Sequence, residues 1–169
     1  IPDDGRWGQL LVASGFIQYE PYNGHKSLYE TEIRFGYNET GLYMGAFMHD
    51  PHPDSISAEL GKRDQVDELN TDYITADILP YNDGLTMFEF KITPKGLQSD
   101  NKFSAVGRES SWDAVWESAA TINDSGWIAE VFIPYSALRF PKTEVQTWGI
   151  NMWRNLNRRN EKSTWSFVP

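Results

Sequence analysis

Along most of this chain hydrophobic residues return at every second position, the period of a strand that buries one face. Residues 31–38 set Thr31, Ile33, Phe35 and Tyr37 on one side and Glu32, Arg34 and Asn38 on the other. After Asn38-Glu39-Thr40-Gly41, residues 42–49 alternate again, with Leu42, Met44, Ala46 and Met48 against Tyr43, Phe47 and His49. The two segments predict a hairpin closed by a short glycine-containing loop. Residues 56–60, 72–79, 85–93, 115–122, 127–133 and 147–157 are further strand candidates. Turn signals such as Tyr81-Asn82-Asp83-Gly84 and Asn123-Asp124-Ser125-Gly126 separate them. A helix start occurs only at Pro134-Tyr135-Ser136-Ala137-Leu138, and Pro141 stops it after one turn. Many short strands without helical spacers predict an all-β antiparallel β-sandwich, one domain over residues 1–169.

The length of 169 residues is enough for one hydrophobic core. With 15 basic and 24 acidic residues the net charge is −9, a balance that repels phosphate backbones and anionic lipid and argues against nucleic acid as a partner. The absence of cysteine excludes disulfides, thiolate metal sites and cysteine nucleophiles. The longest apolar stretch, residues 9–17, is interrupted by Ser14 and Gly15 and falls short of the roughly 18 residues of a spanning helix, so no membrane insertion by this domain is expected. The opening Ile1-Pro2-Asp3-Asp4-Gly5 has neither an initiator Met nor a signal-peptide pattern, which reads as a processed or excised piece.

The last long strand candidate is the most informative about chemistry. At period two, Trp148, Ile150, Met152 and Leu156 share one face, and Asn151, Trp153, Asn155 and Asn157 share the other. Amides that donate and accept, beside a flat indole, are what a sugar requires: partners for its hydroxyls and a surface for its C–H face. A half-buried Trp153 under a loop is the alternative. Glu89 and Lys91 also point one way from their strand, and an exposed ion pair is the simpler reading of them. Trp112 and Trp116 read as core anchors.

Residues 64–72 form the longest polar stretch and read as a solvated loop, with a structural calcium ion as the second reading. Carboxylate pairs such as Asp113/Glu117 or Asp67/Glu68 can be nominated for glycoside hydrolysis, but with 24 carboxylates such pairs arise by chance, so the expectation is a non-catalytic domain without a cofactor. His49 and His52 resemble half a metal site that lacks a third ligand. Charge is uneven: residues 139–169 carry 6 basic and 2 acidic residues, a local basic patch.

Tyr29–Tyr37, Gly41–Pro51, Phe88-Glu89-Phe90, Gly126–Pro134 and Trp148-Gly149-Ile150-Asn151 together resemble the family 9 carbohydrate-binding module. Ser111–Glu117, Ile133–Phe140 and Arg158-Arg159-Asn160-Glu161 resemble, more narrowly, the N-terminal module of large exported bacterial proteins whose remainder is similar to an outer-membrane barrel. The resemblance implies a jelly-roll or immunoglobulin-like sandwich, a periplasmic or outer-membrane-associated location, and non-catalytic binding of an oligo- or polysaccharide linked to its hydrolysis or uptake. The remainder of its own chain is then a second partner. Sugar-binding members clamp a terminal sugar between two Trp and hold its hydroxyls with Glu, Arg and Asn. Here Leu69 falls at one clamp Trp, Thr75 at the Glu, and Lys91 and Thr93 at the Arg and one Asn, which leaves Asn151 and Trp165 as direct carry-overs. The expected ligand-binding set is Asn151, Trp153, Arg154, Trp165, Glu89 and Lys91. Two alternatives accompany it: a domain that docks onto the downstream barrel, and a haem-binding relative with Met48, Met87, Met152 or His49 as axial ligands.

Overall fold

The structure, a computed structural model, describes residues 6–109 and 111–168; the opening five residues, Ser110 and Pro169 lie outside the described residues. Twelve strands are present among the described residues: β1 Val12–Ala13, β2 Ile17–Glu20, β3 Thr31–Tyr37, β4 Gly41–His49, β5 Tyr73–Leu79, β6 Met87–Ile92, β7 Gln98–Ser104, β8 Gly107–Glu109, β9 Glu117–Asn123, β10 Gly126–Pro134, β11 Gly149–Leu156 and β12 Glu161–Thr164. They form two antiparallel sheets, ordered β1-β3-β4-β10-β9 and β2-β12-β11-β5-β6-β7-β8, which pack as a β-sandwich. The period-two rows close the core between them: Ile33, Met44, Met48 and Val131 from the first sheet meet Ile74, Ile78, Phe88, Phe90 and Met152 from the second. Met48 and Met152 fill space within this cluster.

The predicted hairpin is β3–β4, with Thr31 opposite Met48 and Tyr37 opposite Leu42. In the loop Asn38 Oδ1 accepts from the Thr40 and Gly41 amides, an Asx-type turn that the sequence signals. The β9–β10 turn ends on Gly126 at φ 140°, where an added Cβ would stand 2.1 Å from the Met48 carbonyl oxygen, so only glycine lets β10 begin against β4. Tyr135–Ala137 is the single short turn expected there, of 3₁₀ type.

Five strands escape the apolar pattern: β1, β2, β7, β8 and β12. In β7, Asp100 occupies the inner row opposite Phe90 and is buried, because Arg63 and the Trp116 indole bond its Oδ2 at 2.5 and 3.0 Å while the Ala114 amide bonds Oδ1 at 3.0 Å. Residues 56–60 contribute only an isolated bridge between Ala58 and Thr71. Trp116 is buried and Trp112 lies on Phe88 and Phe90 with ring centroids 5.1 and 5.9 Å apart, so both pack against the core.

Arg154 corrects an expectation. It sits on the inner row of β11 between Met152 and Leu156, is 2% exposed, and reaches across to the first sheet. Its Nη1 donates to the Glu30 carbonyl at 2.9 Å and to Thr31 Oγ1 at 3.0 Å, and its Nη2 donates to the His49 carbonyl at 2.8 Å. Burial lowers its pKa to about 10, opposed by Asp72 and Asp50, so it stays charged at neutral pH. A guanidinium bound to main-chain carbonyls between two sheets is a structural cross-brace. Nearby, Arg158 grips the buried Asp50 with two bonds of 2.6 and 2.7 Å. Arg154→Leu should lower unfolding free energy by about 3 kcal/mol or more in urea denaturation, because several buried acceptors lose their donor. Arg154→Lys should recover little of it, since one ammonium lacks the fork that spans both strands.

Candidate functional site

Strand order gives the outer face of the seven-stranded sheet its chemistry. β11, β5, β6 and β7 are neighbours, so outward residues fall into rungs across them. One rung runs Asn151, Asp77, Glu89, Asn101 and the next runs Trp153, Thr75, Lys91, Ser99. Four expected site residues, Asn151, Trp153, Glu89 and Lys91, therefore stand on one surface.

These side chains are held in a hydrogen-bonded row. Arg108 Nε donates to Asn101 Oδ1 at 2.6 Å, and Asn101 Nδ2 donates to Glu89 Oε1 at 2.7 Å. Lys91 is buried rather than an exposed ion partner. Its Nζ lies 2.5 Å from Asp67 Oδ1, 3.6 Å from Glu89 Oε1 and 4.6 Å from the centroid of the Tyr73 ring. Burial disfavours its charge, but Glu89 and Asp67 outweigh that and hold its pKa above the ordinary lysine range. The same ring feels burial first and Lys91 second, leaving the Tyr73 phenol raised.

Asp67 arrives on residues 64–72, a loop that is solvated as expected at Asp64, Gln65, Asp67, Glu68 and Asn70 but anchored at points along its length. Val66–Glu68 is a 3₁₀ turn that buries Val66, Asp64 Oδ1 accepts the Asp100 amide at 3.1 Å, and buried Asp72 accepts the Asn157 amide at 2.9 Å. Asp64, Asp67 and Asp72 thus bond this chain's own donors, and Asp67 and Lys91 tie the stretch to the sheet.

Aromatic surface flanks the row. Tyr19 meets Trp153 edge to face at 5.6 Å and is half exposed, and Trp153 is half-buried. Asn151 Oδ1 accepts from the Met152 amide, Thr164 Oγ1 and the Ser166 amide at 2.8, 3.0 and 2.9 Å, so its free hydrogen-bonding capacity is the NH₂ group. Trp165 follows the end of β12, is 41% exposed, and its amide bonds the Met152 carbonyl at 3.1 Å. Arg154 points to the core, as described. Arg154 therefore stands apart from the surface set.

The sequence reading missed Tyr19, Tyr73 and Asp77. Asp77 carries a visible signal, one carboxyl within the otherwise uncharged Tyr73–Leu79. It is 3% exposed, its Oδ1 has no hydrogen-bond partner among the described residues, and Glu89 lies opposite. Burial, reinforced by Glu89 and opposed by Thr75, Lys91 and Trp153, pushes its pKa up to about 8. A separate cavity of about 540 Å³ opens at the edge of the sandwich, walled by Trp112, Leu138, Lys102 and Arg139.

No family model and no curated protein sequence matches the chain. Solved structures do match in fold. One is a protein of Bacteroides uniformis ATCC 8492 assigned a carbohydrate-binding role, with TM-score 0.71, 12% identity, and coverage of 95% of this chain and 79% of that one. Another is a family 9 carbohydrate-binding module from Caldicellulosiruptor kristjanssonii in complex with glucose, with TM-score 0.62, 12% identity, and coverage of 97% and 76%. The same module in complex with cellotriose gives TM-score 0.62, 12% identity, and coverage of 96% and 75%. This chain therefore shares the β-sandwich of family 9 carbohydrate-binding modules.

The buried carboxyls set a pH dependence. Asp77 ordinarily titrates at 3.8 and does so at about 8 in the fold, so the folded chain binds that proton more tightly than the unfolded chain. Its contribution is fully present below about pH 4 and is lost as pH rises through about 8. Asp72, raised by burial to about 6, acts in the same direction over the lower part of that window. Urea unfolding of the wild type should therefore weaken by on the order of a few kcal/mol between about pH 4 and 8. Asp77→Asn should abolish the dependence between about pH 6 and 8 and leave below it only the share that Asp72 contributes.

Proposed function

We propose that this chain is a non-catalytic carbohydrate-binding module that takes its saccharide on the outer face of the seven-stranded sheet. The observation that carries the reading is the convergence there of Trp153 and Tyr19 with the Asn151 amide and the Glu89 carboxylate. The rings supply a surface for a sugar C–H face, the Asn151 NH₂ a donor and Glu89 an acceptor for its hydroxyls. Lys91, held by Asp67, Glu89 and the Tyr73 ring, fixes the Glu89 carboxylate from below. The reading is supported by the shared fold, since two of the similar structures hold glucose and cellotriose.

Leu69 and Thr75 stand where sugar-binding members of the family carry a clamp Trp and a Glu, so the saccharide is held from one side rather than between two rings. We place the module in a larger exported bacterial protein, periplasmic or at the outer membrane, where it delivers polysaccharide for hydrolysis or uptake. The sequence resemblance to the N-terminal modules of such proteins supports that placement.

Titration with a panel of neutral and acidic oligosaccharides, followed by Trp fluorescence and calorimetry, tests the reading. A saturable response weakened about tenfold or more in Trp153→Ala, equivalent to about 1.4 kcal/mol, and unchanged in Trp112→Phe is the expected result. A response that depends on Trp112 instead would move the ligand to the edge cavity. Silence across the panel from a folded protein would overturn sugar binding and favour docking onto the rest of the chain.

A further inference from the structure

His49 lacks a metal-binding partner in the sequence, and the fold supplies two. The β3–β4 register places Glu32 opposite Phe47, and one pair further along the His49 amide donates to the Glu30 carbonyl at 3.0 Å. Glu30, Glu32 and His49 thereby share the outer face of the five-stranded sheet, on the other side of the sandwich from the saccharide face. One ligand atom from each lies within 4.8 Å of the other two, and His49 Nε2 stands 3.2 Å from Glu32 Oε1. His52 takes no part: the chain turns at Asp50, whose Oδ1 accepts the His52 amide at 2.8 Å.

We infer that Glu30, Glu32 and His49 form a binding site for a divalent first-row transition ion of the Zn²⁺ class. Three features separate this group from an ordinary acidic patch. The first is the imidazole, a nitrogen donor that suits Zn²⁺, Ni²⁺ or Co²⁺ and adds nothing for Ca²⁺ or Mg²⁺, which require sets of oxygen ligands. The second is fixed geometry. The His49 ring packs against Phe47 with centroids 4.0 Å apart, and the Arg154 guanidinium holds the carbonyls of both Glu30 and His49, so two ligand-bearing backbones are pinned by one brace. The third is unbalanced charge. Arg34 Nη1 lies 3.6 Å from Glu32 Oε2, which leaves Oε1 turned to His49, and one guanidinium offsets only one of the two carboxylates. A cation between Glu30, Glu32 and His49 removes that repulsion. Three protein ligands on an accessible surface leave a coordination position for water or an external group.

The probe is Zn²⁺ added to chelator-treated protein. The chain has three histidines, so imidazole ¹H–¹⁵N spectra resolve each. One equivalent of Zn²⁺ should shift the His49 ring resonances and leave those of His25 and His52 in place. Calorimetry should give one site, weakened about tenfold or more in His49→Gln and in Glu32→Gln, with no binding of Ca²⁺ or Mg²⁺ at the same concentration. Urea unfolding of each variant confirms that it is folded; if one is not, the wild-type His49 resonance decides alone. Absence of Zn²⁺ binding, affinity equal in both variants and wild type, or a shift confined to His25 or His52 would overturn the inference.

Discussion

The sandwich depends on one buried cation. Sheets of this kind are held together by apolar rows, yet Arg154 places a guanidinium in the inner row of β11, where desolvating it is costly. Its position is tolerated because the charge is met by bonds to carbonyls and a hydroxyl of the opposite sheet, and by Asp50 and Asp72 nearby. Hydrophobic contact lets two sheets slide, whereas a planar donor bonded to Glu30 and Thr31 at the start of β3 and to His49 at the end of β4 fixes where β11 lies relative to both. Asp50, which begins the turn after β4, is in turn gripped by Arg158 at the end of β11. Both braces join the same two parts of the chain, about a hundred residues apart.

On the outer face of the seven-stranded sheet the problem is reversed. A polar row there would ordinarily be solvated, but the segment around Asp67 covers part of it, and the covered groups must satisfy one another. Lys91 succeeds because two carboxylates and a ring surround it. Asp77 does not, since its nearest charged neighbour across the strand is Glu89 and its Oδ1 finds no donor. Protonation is the available compensation, and it holds Asp77 neutral at neutral pH. Environment thus separates two adjacent carboxyls: Asp77 is buried and pushed to the neutral form, whereas Glu89 accepts from Asn101 and lies beside Lys91.

How much of this was readable in the chain depended on range. The β3–β4 hairpin was legible because alternation and turn chemistry are local, and so was the shared outward direction of Asn151 with Trp153 and of Glu89 with Lys91. That these two pairs lie side by side was not, because it requires β5 to sit between β11 and β6, a long-range pairing without local signature. Arg154 was misplaced since a charged residue within an apolar row reads as surface until its acceptors on another sheet are known. β7 was invisible for a similar reason: Asp100 breaks the inner row, and its donors Arg63 and Trp116 lie far along the chain. His49 looked incomplete because its partners lie on the preceding strand, Glu32 within β3 and Glu30 just before it.

The two proposed binding surfaces lie on opposite outer faces and meet only at β11. Trp153 and Asn155 face outward on either side of Arg154, while the fork of Arg154 holds the carbonyls of Glu30 and His49. Such a connection could carry a signal only if the brace had a second arrangement in which its bonds were exchanged for others of similar strength. The buried guanidinium has no such alternative in view: releasing either carbonyl strands a desolvated acceptor and a partly unpaired cation. A rigid link of this kind transmits no preference between states, because it offers one state. The two proposed sites are therefore independent of one another, and what the brace gives both is a backbone fixed before a ligand would arrive.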